Sequence, residues 1–210
     1  MRWQAGICIR LFRDFFASIS AVLADWSDRI ASEFDGVALF DLPSGGAIYR
    51  VFLFPGCLQV DLSFAPSTDF GATGPEFRRL FGTSVDKPVI PAPTASHLFG
   101  YGVHHAVRAR VCLERGRWWQ AEYWTSALRD YALTLACVRL NLAPHYGKGF
   151  DDLPEDLRRI AAAALPRSVE RRDVLSALRE AAGLLLAEGM AASVCPTALR
   201  DWVREFVWME

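Results

Sequence analysis

The chain has 210 residues, 52% of them hydrophobic, and a net charge of −1 from 23 basic and 24 acidic side chains. That apolar content supports a sizeable core and excludes a disordered chain. The balanced charge provides no global field to draw in nucleic acid or an acidic membrane surface.

Five cysteines, Cys8, Cys57, Cys112, Cys137 and Cys195, are widely spaced and form no C-x-x-C. Buried free thiols in a reducing compartment are therefore expected, not a disulfide framework. No apolar run reaches membrane-spanning length, and Arg10, Arg13 and Asp14 interrupt the first apolar stretch. A soluble cytoplasmic protein is expected, with neither membrane nor nucleic acid as partner.

In chain order, Ile9, Phe12, Phe15, Phe16, Ile19, Val22, Leu23 and Trp26 recur at helical intervals and predict an amphipathic helix over 9–26. Strand-like runs follow at 36–42, 47–54 and 58–64, separated by turns at 43–46 and 55–57. The second and third runs are expected to form an antiparallel hairpin. A loop over 65–79 leads into a short amphipathic piece. Three prolines within 86–96 then mark a linker. Beyond it the sequence is rich in Ala, Leu and Arg, and helices are expected near 97–115, 118–142, 155–165, 168–189 and 196–208.

The expected fold is α+β: a small mixed or antiparallel sheet unit over 1–88, then a helical bundle over 95–210. The bundle is expected on the sheet's Asp61 side, with a cleft at the boundary. Alternation in the third strand places Val60, Leu62 and Phe64 on one face and Gln59, Asp61 and Ser63 on the other. A carboxylate on a sheet is costly to bury without a partner, which makes Asp61 the leading site residue. A cross-strand ion pair with Arg50 is the structural alternative.

Several runs together resemble the nucleotidyltransferases of the kanamycin and lincosamide adenylyltransferase type. They are Tyr49-Arg50-Val51-Phe52-Leu53-Phe54-Pro55-Gly56, Val60-Asp61-Leu62-Ser63-Phe64, Phe70-Gly71-Ala72-Thr73-Gly74-Pro75-Glu76-Phe77-Arg78 and Leu80-Phe81-Gly82. In the helical part, Trp118 to Trp124, Leu128 to Leu133 and Gly149 to Pro154 add to it. The similarity spans roughly residues 30–165, and each motif is moderately specific alone.

The resemblance implies transfer of a nucleoside monophosphate from ATP or another nucleoside triphosphate, with Mg²⁺, to a small-molecule hydroxyl such as that of an aminoglycoside or lincosamide. It implies Asp61 as a metal-binding carboxylate and Glu122 as general base. Arg129 and Lys148 are implied as phosphate-binding candidates, with a HEPN-like helical bundle. A homodimer is compatible with this reading.

The chain departs from the family in having no Gly-Ser dipeptide and no Asp-x-Asp. Glu33-Phe34-Asp35 is a poor substitute, because it follows no Gly-Ser turn. Of two accounts, a reading frame that begins late and a natural degenerate member, the first is preferred. Either way, loss of transfer is expected, since one carboxylate holds Mg²⁺ weakly. The rival reading is a non-catalytic, antitoxin-like partner protein.

Other constellations are weaker. His97 and His104 share a helix face but lack the partners of a zinc site. Arg139 and His145 resemble a HEPN ribonuclease signature, but Pro144 breaks the helix before His145. Gly147-Lys148-Gly149 is read first as a helix-end loop. The aromatic residues Trp118, Trp119, Tyr123 and Trp124 span more than one helix face, and core packing is their default role.

Overall fold

The structure is a computed structural model, and it describes residues 6–10, 19–44, 46–72, 77–80, 82–88, 91 and 93–208. Two compact units divide it, Met1–Ile90 and Pro91–Glu210. The fold is α+β, with a mixed sheet in the first unit and a helical bundle in the second.

The first unit holds β1 (Gly6–Arg10), α1 (Ile19–Phe34), β2 (Val37–Ser44), β3 (Ala47–Phe54) and β4 (Leu58–Ala65). These strands form a four-stranded sheet in the order β1-β4-β3-β2. β2 pairs with β3 and β3 with β4 in antiparallel fashion, while β1 lies parallel to β4. The β3–β4 hairpin turns at Pro55–Cys57, where Gly56 has φ 76° and Cys57 has φ 60°. Glycine suits that left-handed conformation, and cysteine adopts it at a cost.

One face of the sheet is sealed by α1. Leu23 and Ile30 of the helix form a buried cluster with Phe52, Leu62 and Phe64, and Val22, Trp26, Ile48, Phe54 and Val60 pack around it. Phe52 and Phe64 are fully buried, each worth about 2–3 kcal/mol in removed apolar surface. Trp26 meets Phe64 edge-on at 6.2 Å.

One sequence expectation needs correction here. Residues 6–10 form a strand, although 9–26 was predicted helical, and the described helix runs later, over Ile19–Phe34. Gly6-Ile7-Cys8-Ile9 is a short apolar run of the kind found in buried parallel strands, which helical spacing alone cannot separate from a helix end. Residues 11–18 lie outside the described residues.

The second unit comprises α2 (Ala95–Glu114), α3 (Trp118–Arg139), α4 (Glu155–Ala163), α5 (Arg171–Ala191) and α6 (Thr197–Trp208). The Thr94 side chain caps α2 by accepting from the His97 backbone N–H at 3.3 Å. A short turn through Gly116, at φ 66°, joins α2 to α3. Leu128 and Leu135 of α3 and Leu178 and Leu185 of α5 are fully buried. Small residues let these helices approach closely: a Cβ on Gly102 of α2 would lie 2.5 Å from Leu185 Cδ1. Cys112 and Cys137 are buried free thiols, and burial pushes the Cys137 thiol up. Cys57, by contrast, is exposed in the hairpin turn, against the expectation of uniformly buried thiols.

Candidate functional site

Strand register positions Asp61. It stands opposite Val51 of β3 and Gly6 of β1. Val60, Leu62 and Phe64 all pack with the α1 cluster, so alternation turns Gln59, Asp61 and Ser63 to the other face. Asp61 is half-buried there, and Gln59 Nε2 donates to its Oδ1 at 3.1 Å. Ser63 on the same face is buried.

Arg50 is not the partner of Asp61. It projects to the α1 face, where Nε and Nη2 donate to the two carboxylate oxygens of Asp41 on β2, each at 2.7 Å. Nη1 donates to Ser27 Oγ at 2.8 Å and to the Leu23 carbonyl at 3.0 Å. The fork is therefore satisfied by a strand and a helix on one side of the sheet. The hydrogen bonds from Arg50 hold the Asp41 carboxyl below the usual carboxylate range. The cross-strand pair foreseen for Asp61 belongs to Asp41 instead.

The Asp61 face is otherwise apolar toward the β2 edge. Val37, Phe40 and Leu42 of β2 stand opposite Leu53, Val51 and Tyr49 of β3. Directly opposed residues share a face, so these side chains look out on the same side as Asp61. Val37, Phe40 and Leu42 are each more than half exposed, and Leu53 is 37% exposed.

Mg²⁺ requires near-octahedral oxygen ligation, normally from one or two carboxylates together with substrate phosphates and water. The residues beside Asp61 on its strand and across it are Gln59, Ser63 and Val51, and they supply no second acid. Among the described residues, no three His, Cys, Asp or Glu side chains converge as a metal site. The described residues therefore do not fit a complete Mg²⁺ cradle.

The remaining candidates lie in the second unit. Glu122 on α3 is half-buried and accepts a 2.6 Å hydrogen bond from Ser126 Oγ, one turn on. Arg129 lies seven residues beyond Glu122 on the same helix face. Its guanidinium already donates to the neighbouring Asp130 carboxylate, from Nη2 at 2.9 Å and Nε at 3.2 Å. Lys148 is exposed in the loop after α3, where its backbone N–H donates to the His145 carbonyl at 3.2 Å. Each of the four candidates is thus described within its own unit, Asp61 in the first and the other three in the second.

The HEPN-like signature is occupied structurally. Arg139 donates both Nε and Nη2 to the Glu188 carboxylate of α5, at 2.8 and 3.1 Å, while His145 lies exposed beyond the helix end. His97 rests edge-on against Tyr101 at 4.6 Å. His105, not singled out from sequence, is the buried one. Its Nδ1 lies 2.7 Å from the Tyr101 carbonyl, and Trp124 and Tyr131 meet its ring edge-on. Tyr123 and Trp119 are mostly exposed, while Trp124 is half-buried beneath the Arg108 guanidinium, 4.6 Å from its ring centre.

No protein-family model matches the chain, and no curated protein sequence matches it. Among solved structures, the crystal structure of an aminoglycoside 6-adenyltransferase from Bacillus subtilis is similar to it. The TM-score is 0.49 at 12% identity, over 95% of this chain and 86% of that one. That likeness carries no residue role over to this chain.

Proposed function

We propose that the chain is a nucleotidyltransferase-type protein that binds a nucleoside triphosphate but has lost efficient transfer of the nucleotide to an acceptor hydroxyl. The resemblance of its β3–β4 and helical runs to that family supports the reading. The observation that carries it is Asp61, turned to the sheet face that α1 leaves free, with no second acid beside it among the described residues.

In this reading Asp61 is the remaining carboxylate of the metal site. Glu122 is the base toward the acceptor hydroxyl, and Arg129 and Lys148 offset phosphate charge. With a single carboxylate, the ion would depend on the substrate phosphates and water for its other ligands and be held weakly for in-line displacement at phosphorus.

The test uses the full chain. ATP with Mg²⁺ is titrated calorimetrically, and transfer of labelled AMP to an aminoglycoside or lincosamide hydroxyl is assayed in parallel. Binding heat without transfer is expected. Measurable transfer that disappears in Asp61→Asn would overturn the loss of activity, and absence of heat would overturn nucleotide binding at all.

A second reading, a non-catalytic partner protein, is favoured by one observation: the exposed apolar side chains of Val37, Phe40, Leu42 and Leu53 on the Asp61 face. It predicts no ATP heat and an association, seen by sedimentation, that Phe40→Lys abolishes.

A further inference from the structure

A groove of about 570 Å³ runs along α5 beside the end of α6, lined by Arg171, Arg172, Ser176, Arg179, Gly183 and Trp208, with Leu175 and Glu180 completing it. Its volume lies within the range of small-molecule sites, about 300–1,000 Å³. Arg172, Ser176, Arg179 and Gly183 are spaced by four, three and four residues, which puts them on one stripe of the helix.

Three observations point to a ligand. First, Arg179 lines the groove with its Nη2 reaching the Trp208 carbonyl at a long 3.4 Å, and its Nε has no hydrogen-bond partner among the described residues. That long contact leaves the outer guanidinium nitrogens able to turn to an oxyanion in the groove. Second, Arg171 and Arg172 occupy the first turn of α5, where unpaired backbone N–H groups favour negative charge, not positive. The acid of that turn, Asp173, does not offset them, because its carboxylate is held by Ser168 and Arg167. Neither Arg171 nor Arg172 forms an ion pair among the described residues. Third, the groove is open at Gly183, where an added Cβ would meet nothing within 4 Å.

We propose that this groove is a binding site for a phosphate ester carried on a planar ring, with the phosphate on Arg172 and Arg179 and the ring against Trp208. Guanidinium groups suit phosphate because their planar donor forks match its oxygens. The Ser176 hydroxyl adds a donor on the same stripe. Among the described lining residues, Arg171, Arg172 and Arg179 stand against one acid, Glu180, a balance that favours an anion. The Trp208 ring, 42% exposed at the rim, offers a stacking surface.

AMP and inorganic pyrophosphate, each with EDTA in place of Mg²⁺, are titrated calorimetrically into the full chain. AMP should bind, and Arg172→Gln and Arg179→Gln should each weaken it by about tenfold or more. Gly183→Leu replaces glycine with a better helix former and fills the groove, so it should abolish binding while leaving the melting temperature equal or higher. Trp208→Ala should weaken AMP but spare pyrophosphate, and Asp61→Asn should change neither.

Wild-type chain that binds neither probe overturns the site. So does unchanged affinity in Arg172→Gln and Gly183→Leu, or a signal that disappears with Asp61→Asn. Equal AMP affinity in Trp208→Ala overturns the ring-bearing ligand. Because Arg172 and Gly183 lie at the groove surface, the test stands even where Arg179→Gln fails to fold.

Discussion

Arg50 shows how one side chain ties an edge strand to a helix. Its fork meets both oxygens of Asp41, and its remaining nitrogen reaches Ser27 and the Leu23 carbonyl of α1. Asp41→Asn is expected to lower the stability of the first unit by about 1 kcal/mol, since the pair is partly exposed, read by urea denaturation. The Asp41 carboxyl is held low by Arg50 in the native state. Its stabilising contribution is therefore present above the unfolded value of 3.8 and lost as pH falls through the lower native one. The variant should lack that acid limb.

His105 has the same sign by another route. Burial is the main cause that lowers its pKa, opposed by its contact with the Tyr101 carbonyl and reinforced by His104 and Arg108. The unfolded chain thus takes up a proton more readily than the native one. Helical-unit stability should fall as pH drops through 6.5, the ordinary histidine value. His105→Phe should flatten that slope in thermal melts between pH 7.5 and 5.5.

Among elements, α3 and α5 are joined by Arg139 and Glu188, and the two partners are unequally buried, 28% and 4% exposed at the side chain. Arg139→Met strands a buried carboxylate and should cost about 3 kcal/mol. Glu188→Gln should cost less, because the guanidinium can turn to water. Chemical denaturation of the two variants checks the order. Gly102→Val, pressed against buried Leu185, should cost about 2–3 kcal/mol by overpacking.

The elements were unequally legible in the sequence. β3 is foreseen over its full length, because Ala47–Phe54 combines β-branched and aromatic residues with a Pro-Gly turn beyond it. The facing of Asp61 follows from simple alternation once Leu62 and Phe64 are seen to be core. β1 was missed because Ile9 fits a helical stripe as well as it fits a strand, and only pairing with β4 decides. The Arg50–Asp61 pair that the sequence leaves open fails because register sets Arg50 opposite Leu62, on the α1 face, and Asp61 opposite Val51, on the other. The α5 groove was missed although Arg171-Arg172 at a helix start is itself a signal, since cations are disfavoured there. The orphaned nitrogen of Arg179 has no trace in a sequence.

At the scale of the molecule, the described residues form two buried clusters, a small one centred on Phe52 and Phe64 and a much larger helical one. Proteins of this kind need not unfold in one step. Calorimetry should resolve two transitions, with the sheet unit melting first. Asp41→Asn should move the earlier transition alone, and Arg139→Met the later one alone. A single transition shifted by both variants would show that the units unfold together.

β2 has a further consequence for handling the protein. All eight of its residues are exposed, and β3 is its single strand neighbour among the described residues. Its outer row of amide and carbonyl groups is a ready template for a foreign strand. Pro43 withholds one N–H, and the register shift between Ala38 and Phe40 twists the rim, so the template is blunted at both ends but open in the middle. Refolding at high concentration will therefore compete with precipitation, and a lysine in place of Phe40 should raise the recovered yield.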